Sequence, residues 1–174
     1  SGVSILKIEG RGRSADYVYT TAKCYKEAID SYYTGTYINR HNIPAWKKEL
    51  STVFNRGFWG GYYLGKTMGE WTNEAGSKAT KRKIYIGKGI KYYSKKKIGE
   101  FKMESNKLSM GNDVLITGPT TGVIQTKVNE LRIQDFPVYS VRKGDTFSMP
   151  LNNKIRPSDK LYKVVNDTDY ATAQ

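Results

Sequence analysis

The chain has 174 residues, 38% of them hydrophobic, and a net charge of +13. That suits one domain or two small ones and excludes global disorder, while no apolar run approaches the roughly 18 residues of a membrane span. No charged-then-apolar leader is visible, and the single cysteine, Cys24, can form neither an internal disulfide nor a zinc or iron–sulfur site alone; the expected location is cytoplasmic. The charge is lopsided: residues 1–78 carry 11 basic and 7 acidic side chains, residues 79–165 carry 18 and 7, and the last nine carry two acids only. A net +11 on the second half points to a polyanionic partner, nucleic acid first, beside the plainer reading of a solvated basic surface.

In chain order, Ile5-Leu-Lys-Ile-Glu9 reads as a buried strand that turns at glycines into a helix. A strand of that kind belongs inside a sheet, so residues 1–13 are expected to be the remnant of a larger sheet. Ser14 suits a helix N-cap, and Asp16 the positive end of its dipole. Val18, Ala22, Tyr25, Ile29 and Tyr32 then follow at helical spacing, one apolar-aromatic stripe of a helix ending near Gly35. Cys24 lies beside that stripe as a packed residue.

Residues 36–43 read as a loop, and Pro44 as the first turn of a second helix whose inner face is Trp46, Leu50, Val53 and Phe54. Phe58 to Gly65 is dense in aromatics and glycines, closing a helical region over residues 14–66. Residues 67–80 read as a linker. From residue 81 to 165, short β-branched or alternating runs are separated by turns such as Gly111-Asn-Asp113, Gly118-Pro119 and Lys143-Gly144-Asp145. Strands at that spacing predict a small antiparallel β-barrel, followed by a mobile tail over 166–174. The fold class is therefore α+β.

Three blocks in order carry a family resemblance: Lys7-Ile-Glu9-Gly-Arg11, then Tyr17-Val with Cys24-Tyr25-Lys-Glu-Ala28-Ile-Asp30, then Asn55-Arg56-Gly57-Phe58 with Gly61-Tyr62-Tyr63. Over about residues 2–65 the chain resembles the collagenase-like peptidases, peptidase family U-32. Ile8-Glu-Gly-Arg11 by itself is also a linker cut by a clotting protease, but the match continues on both sides of it. The turn-ending motifs at Gly111-Asn-Asp113, Gly144-Asp145 and Ser158-Asp159 resemble the second-domain barrel of translation GTPases. The family resemblance implies that residues 5–9 close an α/β barrel of the triose-phosphate-isomerase type whose other strands lie upstream. It implies a peptidase label and, in longer members, hydroxylation of the transfer-RNA wobble uridine, with an iron–sulfur cluster held by upstream cysteines and none in this part.

For site chemistry, Lys7, Glu9, Arg11 and Arg13 are the candidates left from an active site; Lys7 and Glu9 share one face of a strand, either lining a site or pairing inside the barrel. On this reading the part alone is inert. His41, the one histidine, has no triad partner in the sequence and reads as a surface residue; no metal-ligand spacing occurs. Gly60-Gly-Tyr-Tyr-Leu-Gly65-Lys66-Thr67 satisfies the phosphate-loop pattern, but its bulky residues and missing strand-to-helix setting argue against nucleotide binding. The strongest cluster is Lys81, Arg82, Lys83, Lys88, Lys91, Lys95, Lys96 and Lys97, eight cations in 17 residues with no acid, interleaved with Tyr85, Tyr92 and Tyr93. Cations of that kind neutralise phosphates while aromatic rings stack on unpaired bases. Arg56 extends the candidate surface. The expected partner is RNA, transfer RNA in particular, with a protein substrate or a ribosome-docking role as alternatives and no membrane.

Overall fold

The computed structural model describes residues 4–58 and 76–171, which form two compact units divided between Lys81 and Arg82. In the first unit, residues 4–10 have no regular secondary structure, and Ile5 and Leu6 are exposed. The strand expected at residues 5–9 has no ladder partner among the described residues, and an isolated strand satisfies neither its backbone groups nor its side chains.

Helix α1 (Ala15–Tyr33) begins after Ser14, whose carbonyl accepts from the backbone of Tyr17 and Val18. It ends in a Schellman arrangement: Thr36 N–H reaches Ser31 O and Gly35 N–H reaches Tyr32 O. Helix α2 (Asn39–Ser51) starts five residues before Pro44, so the expected loop over 36–43 is shorter and Pro44 lies inside the helix. The cause is a local cap. Ile38 O accepts from His41 and Asn42, and the Asn42 Oδ1 accepts the Ile38 N–H at 2.8 Å. Pro44 then costs only the bond that would have reached Arg40 O.

The two helices meet on a side of α1 that the stripe does not mark. Thr20, Thr21, Cys24 and Ser31 are buried, whereas Val18, Tyr25, Ile29 and Tyr32 stay exposed. Trp46 on α2 donates from Nε1 to Glu27 at 3.2 Å and stacks on Tyr37. The end of α2 is held by Asn55, whose side-chain amide donates to Ser51 O and Val53 O. Residues 78 and 80 return to this end, Lys78 N–H to Asn55 O and Thr80 N–H to Ser51 O.

The second unit is built from β1 (Lys81–Tyr93), β2 (Ile98–Met103), β3 (Lys107–Ser109), β4 (Asp113–Gly118), β5 (Gly122–Lys127), β6 (Arg132–Ile133), β7 (Phe136–Pro137), β8 (Ser140–Arg142), β9 (Thr146–Pro150) and β10 (Lys160–Asn166), then α3 (Asp167–Ala171). One sheet runs β5-β4-β10-β1-β2-β9-β6-β7, and β3 pairs with β8 separately. The expected closed barrel is thus not closed by its ladders: the edge strands β5 and β7 are not paired with each other, and β3 and β8 pair only with one another. That pair still contributes Leu108 and Val141 to the same core as Ile86, Phe101, Ile116, Phe147 and Leu161. α3 replaces the start of the expected mobile tail; Arg82 bonds Asp167, and Asn166 bonds Asp169 at 3.0 Å.

Strand β1 pairs with β2 in its second half, with a register shift between Gly89 and Lys91. At Gly87 a Cβ would lie 2.0 Å from Lys102 O, so only glycine permits the close crossing there. Gly118 packs likewise onto the buried Asp159 carboxylate, 1.8 Å from where a Cβ would stand.

Candidate nucleic-acid interface

The basic run of the sequence becomes one hairpin, β1 and β2 joined by a turn over residues 94–97. Register decides which side chains share its outer face. Lys88 lies opposite Lys102, Lys91 opposite Glu100 and Tyr93 opposite Ile98, while Gly87, Gly89 and Tyr92 lie opposite Met103, Phe101 and Gly99. Phe101 and Met103 are core residues, so Tyr92 faces inward; it packs on the core and its hydroxyl donates to Leu151 O at 2.9 Å. Tyr92 is therefore a packing residue rather than a stacking platform.

Tyr85 and Tyr93 remain on the surface, each held by a carboxylate. The Tyr85 hydroxyl donates to Glu104, which pushes the phenol up to about 12, and its ring meets Tyr162 edge-on at 5.7 Å. Glu104 also accepts from Lys88 at 2.8 Å, and these bonds, Lys88 first, lower its carboxyl pKa. The Tyr93 hydroxyl donates to Glu100 at 3.1 Å, which raises its pKa, and Lys91 sits 5.0 Å over its ring. Lys83 lies 5.5 Å over the Tyr162 ring, and Arg82 is paired with Asp167; Lys81 is partly buried at the strand start.

Lys95, Lys96 and Lys97 are exposed in the turn and have no ion-pair partner among the described residues. Lys97 takes φ of 53°, and its carbonyl accepts from Leu151 N–H at 2.8 Å, so the turn is fastened to the unit rather than hanging free. The hairpin thus offers an anchored cationic tip and a flank of tyrosines and lysines already ordered by Glu100 and Glu104. Tyr162, Glu100 and Glu104 escaped the sequence reading because they lie outside the run and join it only through strand pairing.

The other candidates lie in the first unit. Glu9 accepts the Arg11 N–H through Oε1 at 2.8 Å, and Lys7 is exposed with no partner among the described residues. Arg13 lies 3.7 Å over the Phe54 ring. Arg56 is exposed beyond α2, and His41 is exposed on α2 rather than in a loop. Cys24 is buried, and burial raises its thiol pKa, with Glu49 and Glu27 adding to the shift. The phosphate-loop pattern of residues 60–67 lies outside the described residues. Among the described residues no cluster of three or more metal-ligating side chains occurs, and no helix is long and apolar enough to cross a membrane.

Residues 1–73, which include both helices of the first unit, match the model of Peptidase family U32. The chain's first 73 residues are similar to peptidase family U32. A collagenase of Porphyromonas gingivalis is 54% identical over 163 residues, covering 94% of this chain and 39% of the relative. The tRNA hydroxylation protein P of Haemophilus influenzae is 27% identical over 152 residues, covering 87% of this chain and 32% of the relative. The chain therefore spans about two fifths of the collagenase's length. A crystal structure of the C-terminal domain of a Geobacillus thermoleovorans protein assigned to the U32 peptidases superposes with a TM-score of 0.43 at 14% identity, covering 45% of this chain and 90% of that one.

Proposed function

We propose that the second unit of this chain holds RNA, transfer RNA in particular, for a reaction carried out by the rest of a longer protein. The observation that carries the reading is the β1–β2 hairpin, whose tip presents Lys95, Lys96 and Lys97 unpaired beside Tyr93 and Lys91. Exposed cations supply sequence-independent affinity for phosphates, and a nearby ring adds a stacking surface for an unpaired base. The naming of a relative as a tRNA hydroxylation protein is in keeping with that partner. The test is titration of the full chain with transfer RNA at rising salt. Affinity should fall linearly in log–log form; absence of binding at about 50 mM salt, or binding indifferent to salt, overturns the reading.

The exposed stripe of α1 belongs to the same proposal. Val18, Tyr25, Ile29 and Tyr32, exposed on α1, are the face on which the upstream part of the longer protein packs, with Lys7, Glu9 and Arg11 as the remnant of its site. An iron–sulfur cluster does not fit the residues present, since one buried cysteine cannot ligate it; the cluster is proposed only for the full-length protein.

A second reading is favoured by the 54% identity to a collagenase: a peptidase whose β-rich unit binds protein substrate. Gelatin digestion by the full-length protein, together with no retention of transfer RNA, would establish it instead.

A further inference from the structure

The β3–β8 ladder sets Lys107 directly opposite Arg142. Side chains opposite each other in an antiparallel pair project to one face about 4.5–5.5 Å apart at Cβ, and like charges there repel. Both are exposed, and neither has an ion-pair partner among the described residues. The acid next in sequence, Asp145, turns its Oδ2 to the backbone N–H of Arg142 at 2.8 Å. Lys143 is exposed beside them, and from β2 Lys102 Nζ donates to Gly144 O at 2.6 Å. Four cations thus lie at or beside the turn over residues 142–145.

The turn itself is fixed. Asp145 N–H reaches Arg142 O at 3.0 Å, Gly144 N–H reaches Met103 O at 3.1 Å, Met103 N–H reaches Asp145 O at 2.9 Å and Lys143 N–H reaches Asn106 O at 3.2 Å. The contrast with a second like-charge pair is informative. Lys88 and Lys102 also lie opposite one another, but Lys88 is met by Glu104 and Lys102 by a carbonyl. The Lys107–Arg142 pair, by contrast, is held together by register with no acceptor side chain among the described residues.

We infer that Lys107 and Arg142, backed by Lys143, form a second anion site that takes a phosphate group, the guanidinium supplying paired donors and the ammonium a point charge. The site deepens the RNA reading above and rests on it for the source of the phosphate: an RNA backbone, rather than free phosphate. It lies outside the basic run of residues 81–97.

The test uses the full chain and the variant Lys107→Gln/Arg142→Gln, with backbone amide resonances as the readout. Inorganic phosphate should move the amides of residues 106–107 and 142–144 in the parent and not in the variant. A single-stranded RNA oligonucleotide should do the same, and the variant's log–log salt slope for that RNA should shrink by about 0.7. Relief of the repulsion should leave the variant's thermal midpoint equal or higher at low salt, which separates lost binding from lost folding. If phosphate leaves these amides unmoved and the variant binds RNA with an unchanged slope, the site is overturned while the RNA reading stands. If phosphate moves them but RNA does not bind, the site holds as one for free phosphate and the RNA reading falls.

Discussion

Tyr85, Glu104 and Lys88 are three exposed or half-exposed side chains that fix one another, and their protons give the first prediction. The Tyr85 phenol, pushed up to about 12 by its bond to Glu104, adds stability that is complete below the ordinary tyrosine pKa near 10 and is lost as pH rises through about 12. The lowered Glu104 carboxyl works in the opposite sense, adding stability above its ordinary range and losing it as pH falls through its folded value. Glu104→Gln should return the Tyr85 titration toward its ordinary range, read by phenolate absorbance against the Tyr85→Phe control. An unchanged high titration in Glu104→Gln would show another cause. Asp159 gives the second prediction. It is 3% exposed, and its Oδ2 accepts from the Thr121 hydroxyl and from the Arg156 N–H at 2.8 Å. Asp159→Ala should lower the β-rich unit's stability by about 1–2 kcal/mol by leaving two part-buried donors unpaired, measured by calorimetry. Little of this was legible in the sequence, where Ser158-Asp159 reads only as a turn. The partner Thr121 lies in another turn, 38 positions away.

At the scale of elements, regular alternation was readable and interruption was not. Residues 98–103, 113–118, 122–127, 146–150 and 160–166 form strands where the β-branched runs fall. Strand β1 continues through Gly87 and Gly89, which let the backbone cross closely instead of ending it. The pairs β6–β7 and β3–β8 are two or three residues long and carry too few positions to show a period. In α1 the period marked a stripe that the second helix does not cover, since spacing reports a face but not what covers it. The exposed stripe adjoins an apolar pocket of about 160 Å³ lined by Cys24, Tyr25, Ala28, Trp46 and Leu50. Hence the third prediction. Ile29→Ser with Tyr32→Ser should change the stability of this chain by no more than about 0.5 kcal/mol each, as for exposed sites. The same pair in the longer protein should lower its thermal midpoint clearly. Equal, small effects in both would mean that nothing packs on the stripe.

For the whole molecule, charge and fold divide at nearly the same place: the first unit ends at Lys81, and the net +11 belongs to residues 79–165. The sequence showed that division because composition needs no register. It did not show which cations are free, because Glu100, Glu104 and Asp167 reach the run only through folding. The structure therefore ranks the lysines, and the ranking is testable through the salt dependence of RNA binding. Each phosphate neutralised contributes about 0.7 to the log–log slope for a single strand and about 0.9 for a duplex. Lys95→Gln/Lys96→Gln/Lys97→Gln should therefore reduce the slope by about 2, since all three are free at the hairpin tip. Lys88→Gln should reduce it by less than one phosphate's worth, because its ammonium is already engaged by Glu104, and releasing Glu104 places a carboxylate on the same face. Equal losses for Lys88 and each tip lysine would mean that binding senses total charge alone, and the hairpin would lose its standing as the contact surface.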